Sequence, residues 1–506
     1  MAQEASRESS KYVEGMHRLA EQWPYLRYLG MGAWWAWIWL CYSGTGLFAL
    51  WPSGPWAPHV GTMYLYSTPA IACALIAAAF AWRQATGLLL RRAFVVGCSC
   101  LGVLGSALIA VAPLLGGSPC FVLGGLLTGL GTSVLALETG MVFGTLGRRE
   151  VLTAGSIALV FAAFLYFMGT GLPTPWQPAF IAAMPLLSAL LFSMPGEDPF
   201  PADQPNLHEP GAHAPGMRSY IRLVVASALV AATAGFARGM AATSLDNGAY
   251  VESGAVIAFV ICAASIAICV MVNSGDIVRA VRRVYTALIF LGVALALASV
   301  FGLNPVYLGI GKELLWMIFT CIMAYMAFRF GFSPVRAFGF GQAAYLVASA
   351  CAWGAGMACA PLLHNPAAAT GIAAALVLVI VVVFSFVFTD ADIKFIFTWH
   401  RETTGAPCDT ATATGSPDPQ GPDAPGTPTA GVSLERRIAA IPERFGVSSR
   451  EAQIMLLFAQ GHSANWIAED LVISKNTVRS HIRSIYTKLD VHSRRELLDF
   501  LATVGA

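Results

Sequence analysis

Residues 474–489, SKNTVRSHIRSIYTKL, carry the side chains best suited to reading a charged polymer. At helical spacing Val478, Ile482, Ile485 and Leu489 fall on one face, and Asn476, Arg479, Ser480, Arg483 and Thr487 on the other. An arginine fork can donate two hydrogen bonds to guanine, and an asparagine amide can pair with adenine. Lysine or arginine at the periphery neutralises phosphate. A second set of chemically capable residues lies inside apolar runs: Glu138 in LALETGMVFG, Arg238, and the neighbours Lys312 and Glu313. Charge in such a run is expensive, so Glu138, Arg238 and Glu313 are candidate ligand-binding residues.

Each of these charges also has a plainer explanation. Glu138 stands about six helical residues, roughly 9 Å, from the end of its run, within reach of Arg148 or Arg149. Arg238, Lys312 and Glu313 lie near run ends, where long stems can carry charge out to water. The tryptophans of GAWWAWIWLCY pair Trp34 with Trp37 and Trp35 with Trp39 at helical spacing, which favours helix packing or a membrane-interface belt over a ligand cage. No nucleophile, base and orienting group stand together, so no catalytic residue is assigned and the chain does not read as an enzyme. The eleven cysteines are scattered without a CxxC pair or histidines at ligand spacing. They read as small core hydrophobes, and no metal or cofactor is expected.

These residues need elements to position them, and composition says which. Of 506 residues, 57% are hydrophobic and 11% charged, against about 25% charged in an ordinary soluble domain. A bilayer-crossing helix needs roughly 20 mostly apolar residues. Twelve such runs occur, at about 28–50, 61–82, 93–114, 119–144, 151–171, 177–194, 219–241, 250–272, 284–303, 306–328, 336–360 and 367–388. The longest break, 195–218, is rich in Pro, Gly and acid and divides the runs into two sets of six. A cleaved signal peptide is not expected, because the first apolar run starts well inside the chain and many others follow.

Arginine is distributed unevenly across the breaks. If the N-terminal tail (1–27) is cytoplasmic, the inside breaks hold Arg83, Arg91, Arg92, Arg148, Arg149, Arg218, Arg222, Arg279, Arg282, Arg283, Arg329 and Arg336, whereas the outside breaks hold Arg238 and Lys312. Cytoplasmic loops retain positive charge. The expectation is a multi-pass protein of the inner (cytoplasmic) membrane with both ends in the cytoplasm. The 6+6 arrangement over residues 28–388 resembles the major facilitator superfamily. Its usual Gly-rich Asp-Arg-Gly-Arg signature between the second and third spans is replaced here by RQATGLLLRR, which keeps arginines but lacks the Asp, and a weak echo, SGDIVRAVRR, follows span eight.

The membrane part is taken as 28–400. Beyond it, residues 401–432 hold almost no large apolar side chain and read as a flexible linker. Ten of the 30 Lys and Arg lie after residue 431. Residues 433–506 read as four short helices, two of them opened by S-x-x-E capping boxes at Ser448–Glu451 and Ser493–Glu496, with Ser463 and Ser474 placed to cap the two between. Gly461 supplies a stop after IMLLFAQ.

A short helix, a turn and a second helix with Arg, Asn and Ser outward fit a helix-turn-helix. The stretch VSSREAQIMLLFAQGHSANWIAEDLVISKNTVRSHIRSIYTKLDVHSRREL strongly resembles the LuxR-type DNA-binding domain, through Ser449-Arg450-Glu451, Ala459-Gln460-Gly461, Ile467-Ala468-Glu469, Thr477-Val478-Arg479, Lys488-Leu489 and Ser493-Arg494 among others. The resemblance implies DNA contacts from Lys475, Thr477, Val478, Arg479, His481 and Arg483, beside the outward Asn476. It also implies a phosphate contact from Lys488 and pairing of two domains through the last helix. Asn465-Trp466 departs from the usual Lys-Glu.

The fold expected is therefore all-α: a polytopic bundle of about 12 transmembrane helices followed by a four-helix LuxR-type domain. The function expected is a membrane-bound one-component transcriptional regulator, with promoter DNA, the lipid bilayer and an unknown small-molecule ligand as partners and a homodimer on DNA. A secondary transporter with a regulatory DNA-binding tail is the alternative, and a membrane domain that only anchors the tail is a third reading.

Overall fold

Twelve apolar runs become twelve helices in the computed structural model. It describes residues 22–51 and 62–195 apart from 24, 45, 49 and 116; residues 216–398 apart from 245–246, 275–276, 301–306 and 331; and residues 445–459, 464, 467–468, 471, 473, 475–489, 491, 496–497 and 500–501. No strand occurs among them. The chain forms two compact units, Met1–Trp399 and His400–Ala506.

The first unit contains α1 (Leu29–Ser43), α2 (Met63–Phe80), α3 (Trp82–Leu89), α4 (Arg92–Leu115), α5 (Ser118–Phe143), α6 (Arg148–Gly171), α7 (Gln177–Phe192), α8 (Met217–Ser244), α9 (Asn247–Asn273), α10 (Ile277–Val300), α11 (Leu308–Arg329), α12 (Pro334–Cys359), α13 (Pro366–Val382) and α14 (Asp390–Thr398). All but α3 and α14 match the apolar runs one for one. Among the described residues, eight helices are long and apolar enough to cross a membrane, and α7 is a shorter apolar helix. Phe80, Phe164, Phe259, Phe290 and Leu378 stand exposed on the outside of the unit, as expected where lipid rather than water is the solvent. This is a multi-pass membrane domain.

Lipid is as apolar as leucine, so helices there associate by close packing, and small residues make it possible. A Cβ added at Gly235 or Gly239 of α8 would meet the backbone carbonyls of Ser349 and Trp353 on α12, and one at Gly356 would meet the carbonyl of Phe236. The two backbones therefore touch, and Arg238 lies in the α8 segment held against α12. Gly216, with φ +85°, opens α8 in the left-handed region, and a Cβ there would strike the Phe330 ring.

The second unit shows α15 (Ser449–Ala459) and α16 (Lys475–Leu489) around its own apolar core of Val447, Ile454, Met455, Ile467, Val478, Ile485, Leu489, Leu497 and Leu501. The linker, the caps expected at Ser463, Ser474 and Ser493, and much of the expected last helix lie outside the described residues.

Candidate functional sites: a charged aromatic cavity and a basic helix

The buried charges of the membrane unit do not reach for water. Lys312 and Glu313 on α11 and Arg238 on α8 are 6%, 0% and 5% exposed. Lys312 Nζ donates to Glu313 Oε1 at 2.8 Å, and Arg238 Nη2 lies 3.6 Å from the same oxygen. This corrects the expectation of snorkelling. Both basic stems are covered by packed helices, and the shared carboxylate gives them a partner inside, which makes burial affordable. Glu138 on α5 is also buried, at 7%, and the cation whose field reaches it is Arg27, ahead of α1, rather than the expected Arg148 or Arg149. Arg27 in turn donates from Nε to the Phe192 carbonyl.

Aromatic rings surround the Lys312 end of this cluster. Trp35, Trp316 and Tyr345 form a continuous stack from α1 through α11 to α12, with centroids 4.5 and 5.3 Å apart. Trp34 meets Trp316 edge-on at 6.0 Å. Lys312 Nζ lies 5.9 Å from the Trp316 ring centre and 5.7 Å from that of Tyr345, within cation–π range. Trp316 Nε1 donates to Gln342 Oε1 at 2.9 Å, and Gln342 Nε2 donates to Thr320 Oγ1, which fixes the amide. Trp34, Tyr64, Lys312, Trp316, Gln342 and Tyr345 line one narrow, partly open cavity of about 30 Å³. The tryptophans of α1 thus pack helices, as one of their two expected roles required. Trp34 alone of them faces this cavity, whereas Trp37 donates to Ser106 and Trp39 meets Tyr166.

A second cluster fixes α14, which the hydropathy reading missed because the helix is short and amphipathic. Asp392 Oδ1 accepts from Ser219 Oγ at 2.9 Å, Oδ2 from the Thr389 backbone at 3.1 Å and hydroxyl at 3.0 Å, and Arg222 Nη1 lies 3.1 Å from Oδ2. Burial pushes the Asp392 carboxyl up, but the hydrogen bonds of Thr389 and Ser219 and the charge of Arg222 outweigh it and hold it below the usual range. Ile393, Ile396 and Phe397 are buried, and Phe397 stacks on Tyr325 and Phe395 on Phe330. Arg148 at the start of α6 donates to the Phe397 carbonyl at 3.3 Å. Helix α14 therefore touches both six-helix halves.

In the second unit, α16 has the expected inward face: Val478, Ile485 and Leu489 are buried and Ile482 packs against them. Thr477, Arg479, Ser480, Arg483 and Thr487 are exposed, and His481 is half-buried. Lys475 and Asn476 begin the helix, and their side chains lie outside the described residues. Val478 needs correction as a DNA contact: its side chain is 0% exposed and belongs to the core, so it cannot reach a groove while the domain is folded. Lys488, expected at phosphate, donates to Glu451 Oε2 at 2.7 Å.

Glu451 is the residue whose importance the motif understated. The capping box forms: Ser448 N donates to Glu451 Oε2 at 2.7 Å, and Glu451 N to Ser448 Oγ at 3.2 Å. The same carboxylate also accepts from Ser484 Oγ at 2.6 Å, so one side chain caps α15 and grips α16. Burial raises its pKa, but Lys488, Ser484 and Ser448 together bring it down to about 2. The i, i+4 spacing of Ser484 and Lys488 was the available signal. Arg450 Nη2 donates to the Leu471 carbonyl at 2.9 Å, which ties α15 to the turn that precedes α16.

Residues 446–501 match the family described as bacterial regulatory proteins, luxR family. Over 54 residues this chain is 43% identical to the oxygen regulatory protein NreC of Staphylococcus haemolyticus and 39% identical to the fimbriae Z protein of Salmonella typhimurium. Each match covers 11% of this chain, which spans about a quarter (25% and 26%) of those relatives. The helical bundle is similar to two solved structures, each with TM-score 0.50. One is the human organic anion transporter MFSD10 (TETRAN), at 13% identity over 71% of this chain and 98% of that one. The other is FucP, a major facilitator superfamily transporter in the outward conformation, at 14% identity over 74% and 98%. At such identity the likeness is one of fold. The chain therefore joins a major-facilitator-like membrane domain to a luxR-family helix-turn-helix.

Proposed function

We propose that the protein is a membrane-bound one-component transcriptional regulator. The observation that carries this reading is the luxR-family domain at residues 446–501 on the same chain as a major-facilitator-like bundle. The tail binds promoter DNA as a homodimer through α16, with Arg479, Arg483, Thr477 and His481 toward the major groove and Lys475 and Asn476 at its start. Lys488 contacts phosphate from the helix end. The bundle lies in the inner membrane with both chain ends cytoplasmic, a placement supported by the arginine distribution across the breaks. A small molecule in the charged aromatic cavity is the signal, and α14, which touches both halves just before the linker, relays the state of the bundle.

The test is promoter occupancy in intact cells. Chromatin immunoprecipitation of the full chain should recover discrete promoter sites, and occupancy should change in cells carrying Lys312→Met. Specific sites without any effect of cavity substitutions would leave the bundle as an anchor only.

A transporter with a regulatory tail is the second reading, favoured by the fold shared with transporters. Proteoliposome uptake separates the two. Sustained, gradient-driven accumulation of a ligand that enters the cavity would establish transport.

A further inference from the structure

The cavity beside Lys312 is chemically one-sided, and its lining names a ligand class. Of the side chains around it, Lys312 is the one that carries charge among the described residues; Glu313 stands behind it, outside the lining. Lys312 gives one of its three N–H donors to Glu313, and the other two find no acceptor among the described residues. Trp34 Nε1 and the Tyr345 hydroxyl are buried, line the same cavity and have no hydrogen-bond partner among the described residues. Buried donors left unpaired are costly, so a ligand that supplies acceptors recovers that cost. Trp34, Trp316 and Tyr345 border the same space; Trp35 and Tyr345 cover the faces of Trp316, so a flat ring entering there meets the edge of Trp316 and the Trp34 indole.

We infer that the cavity binds an aromatic carboxylate, its carboxylate taken by the Lys312 ammonium, the Tyr345 hydroxyl and the Trp34 indole N–H, and its ring packed against the Trp34 indole and the edge of Trp316. This rests on the reading of the cavity as the signal site. Binding is an ionic contact with no bond made or broken. Gln342, already committed to Trp316 and Thr320, holds the Trp316 ring in place.

The experiment uses the purified full-length chain in nanodiscs, with empty nanodiscs correcting for partition into lipid. Isothermal titration calorimetry compares three probes of one ring system: 2-naphthoate, 2-naphthalenemethanol and 2-naphthylmethylamine. The expected order is the acid over the alcohol by about tenfold or more, a difference of about 1.4 kcal/mol, with no binding of the amine. Lys312→Met should erase the acid's advantage over the alcohol, weakening the acid by about tenfold or more and the alcohol much less. Tyr345→Phe, which keeps the stack, should weaken the acid more than the alcohol. If Lys312→Met fails to fold, the wild-type probe order and Tyr345→Phe decide. Equal binding of acid and amine, or an acid advantage that survives Lys312→Met, would overturn the assignment. Promoter occupancy is read separately: acid binding with no change in occupancy sinks the regulatory reading but keeps the site. A change in occupancy in response to other ligands, with no acid binding, does the reverse.

Discussion

Lys488 Nζ sits 2.7 Å from Oε2 of Glu451, 37 residues earlier in the chain, and closes the distance between the end of α16 and the start of α15. The contact joins α16 to α15, the two helices that share the core of this unit. Lys488 is 35% exposed and Glu451 6%, so the lysine bridges the edge of the core and solvent. A side chain placed this way ties α16 to α15 while part of it stays open to solvent.

Lys488→Met in the fragment 433–506 should therefore act on stability as well as on DNA. Glu451 keeps its bonds to Ser448 and Ser484 but loses its charged partner. With the exposure of Lys488 discounted, a loss of about 1–2 kcal/mol is expected, which lowers the Tm of a domain this size by about 5–15 °C. Thermal melting by circular dichroism measures this. An unchanged Tm with weakened DNA binding would assign Lys488 to phosphate alone.

The same carboxylate sets an acid limit. Its pKa falls from the usual 4.5 to about 2 on folding. A depressed carboxylate contributes stability that is fully present above about pH 4.5 and lost as pH falls toward 2, up to about 3 kcal/mol. Glu451→Gln should be less stable than the wild type at pH 7, and the gap should narrow steadily below pH 4.5. Urea titrations at pH 7, 4 and 3 follow the difference; a gap that widened with acid would reverse the sign and refute the linkage.

Why some of this was legible in the sequence and some was not is a matter of range. Hydropathy belongs to consecutive residues, so the twelve runs announced the twelve helices, and the period of Val478, Ile485 and Leu489 announced the inner face of α16. Depth and partnership belong to residues far apart. Arg238 and Glu313 meet across 75 positions, and their separate places near run ends suggested water where the packed bundle supplied each other. Val478 shows the limit of transferring roles by motif: the position matched, but its side chain is spent in the core. Helix α14 escaped notice because nine amphipathic residues neither span a bilayer nor stand out beside a linker.

Arg479 tests base readout. It is exposed on the outer face of α16, about two and a half turns from the Lys488 end. Arg479→Ala should cost about 1–3 kcal/mol at the preferred site and little on random DNA, because a bidentate contact to guanine carries sequence information whereas phosphate contacts do not. Wild-type affinity should fall steeply between about 50 and 200 mM salt. Competition gel shifts with specific and random duplexes give both numbers. Equal losses on the two duplexes would make Arg479 a backbone contact.

Asp392 tests the anchoring of α14. Asp392→Asn removes the charge that Arg222 faces and weakens the acceptor for Ser219 and Thr389. The helix should loosen, and trypsin should cut after the exposed Lys394 several-fold faster in inverted membrane vesicles. Because the Asp392 pKa is depressed, wild-type protection should hold at neutral pH and fade as acid titrates the carboxylate. If α14 relays the state of the bundle, the same substitution alters promoter occupancy. Faster cleavage with normal regulation would make the clasp structural only.

The linker decides between a lever and a tether. Residues 401–432 are rich in Pro, Gly, Thr and Asp, a composition that predicts a coil with a span of about 30 Å. Such a coil transmits little torque, but it concentrates two tethered domains once two membrane units meet. One helix-turn-helix covers one half-site, and half-sites repeat about every 34 Å along DNA, a distance the coil can bridge. Deleting about ten residues between Thr410 and Pro428 shortens that span by under a fifth, since coil dimensions grow with the square root of length. Regulation should persist, whereas replacing the same segment with a rigid helical spacer should impair it by fixing the distance between the tethered domains. A reporter fused to a bound promoter, with immunoblots to confirm insertion, reads both changes. Loss of the response in the shortened chain, at normal protein level, would show that the membrane unit pushes on the DNA-binding domain through a connection of fixed length.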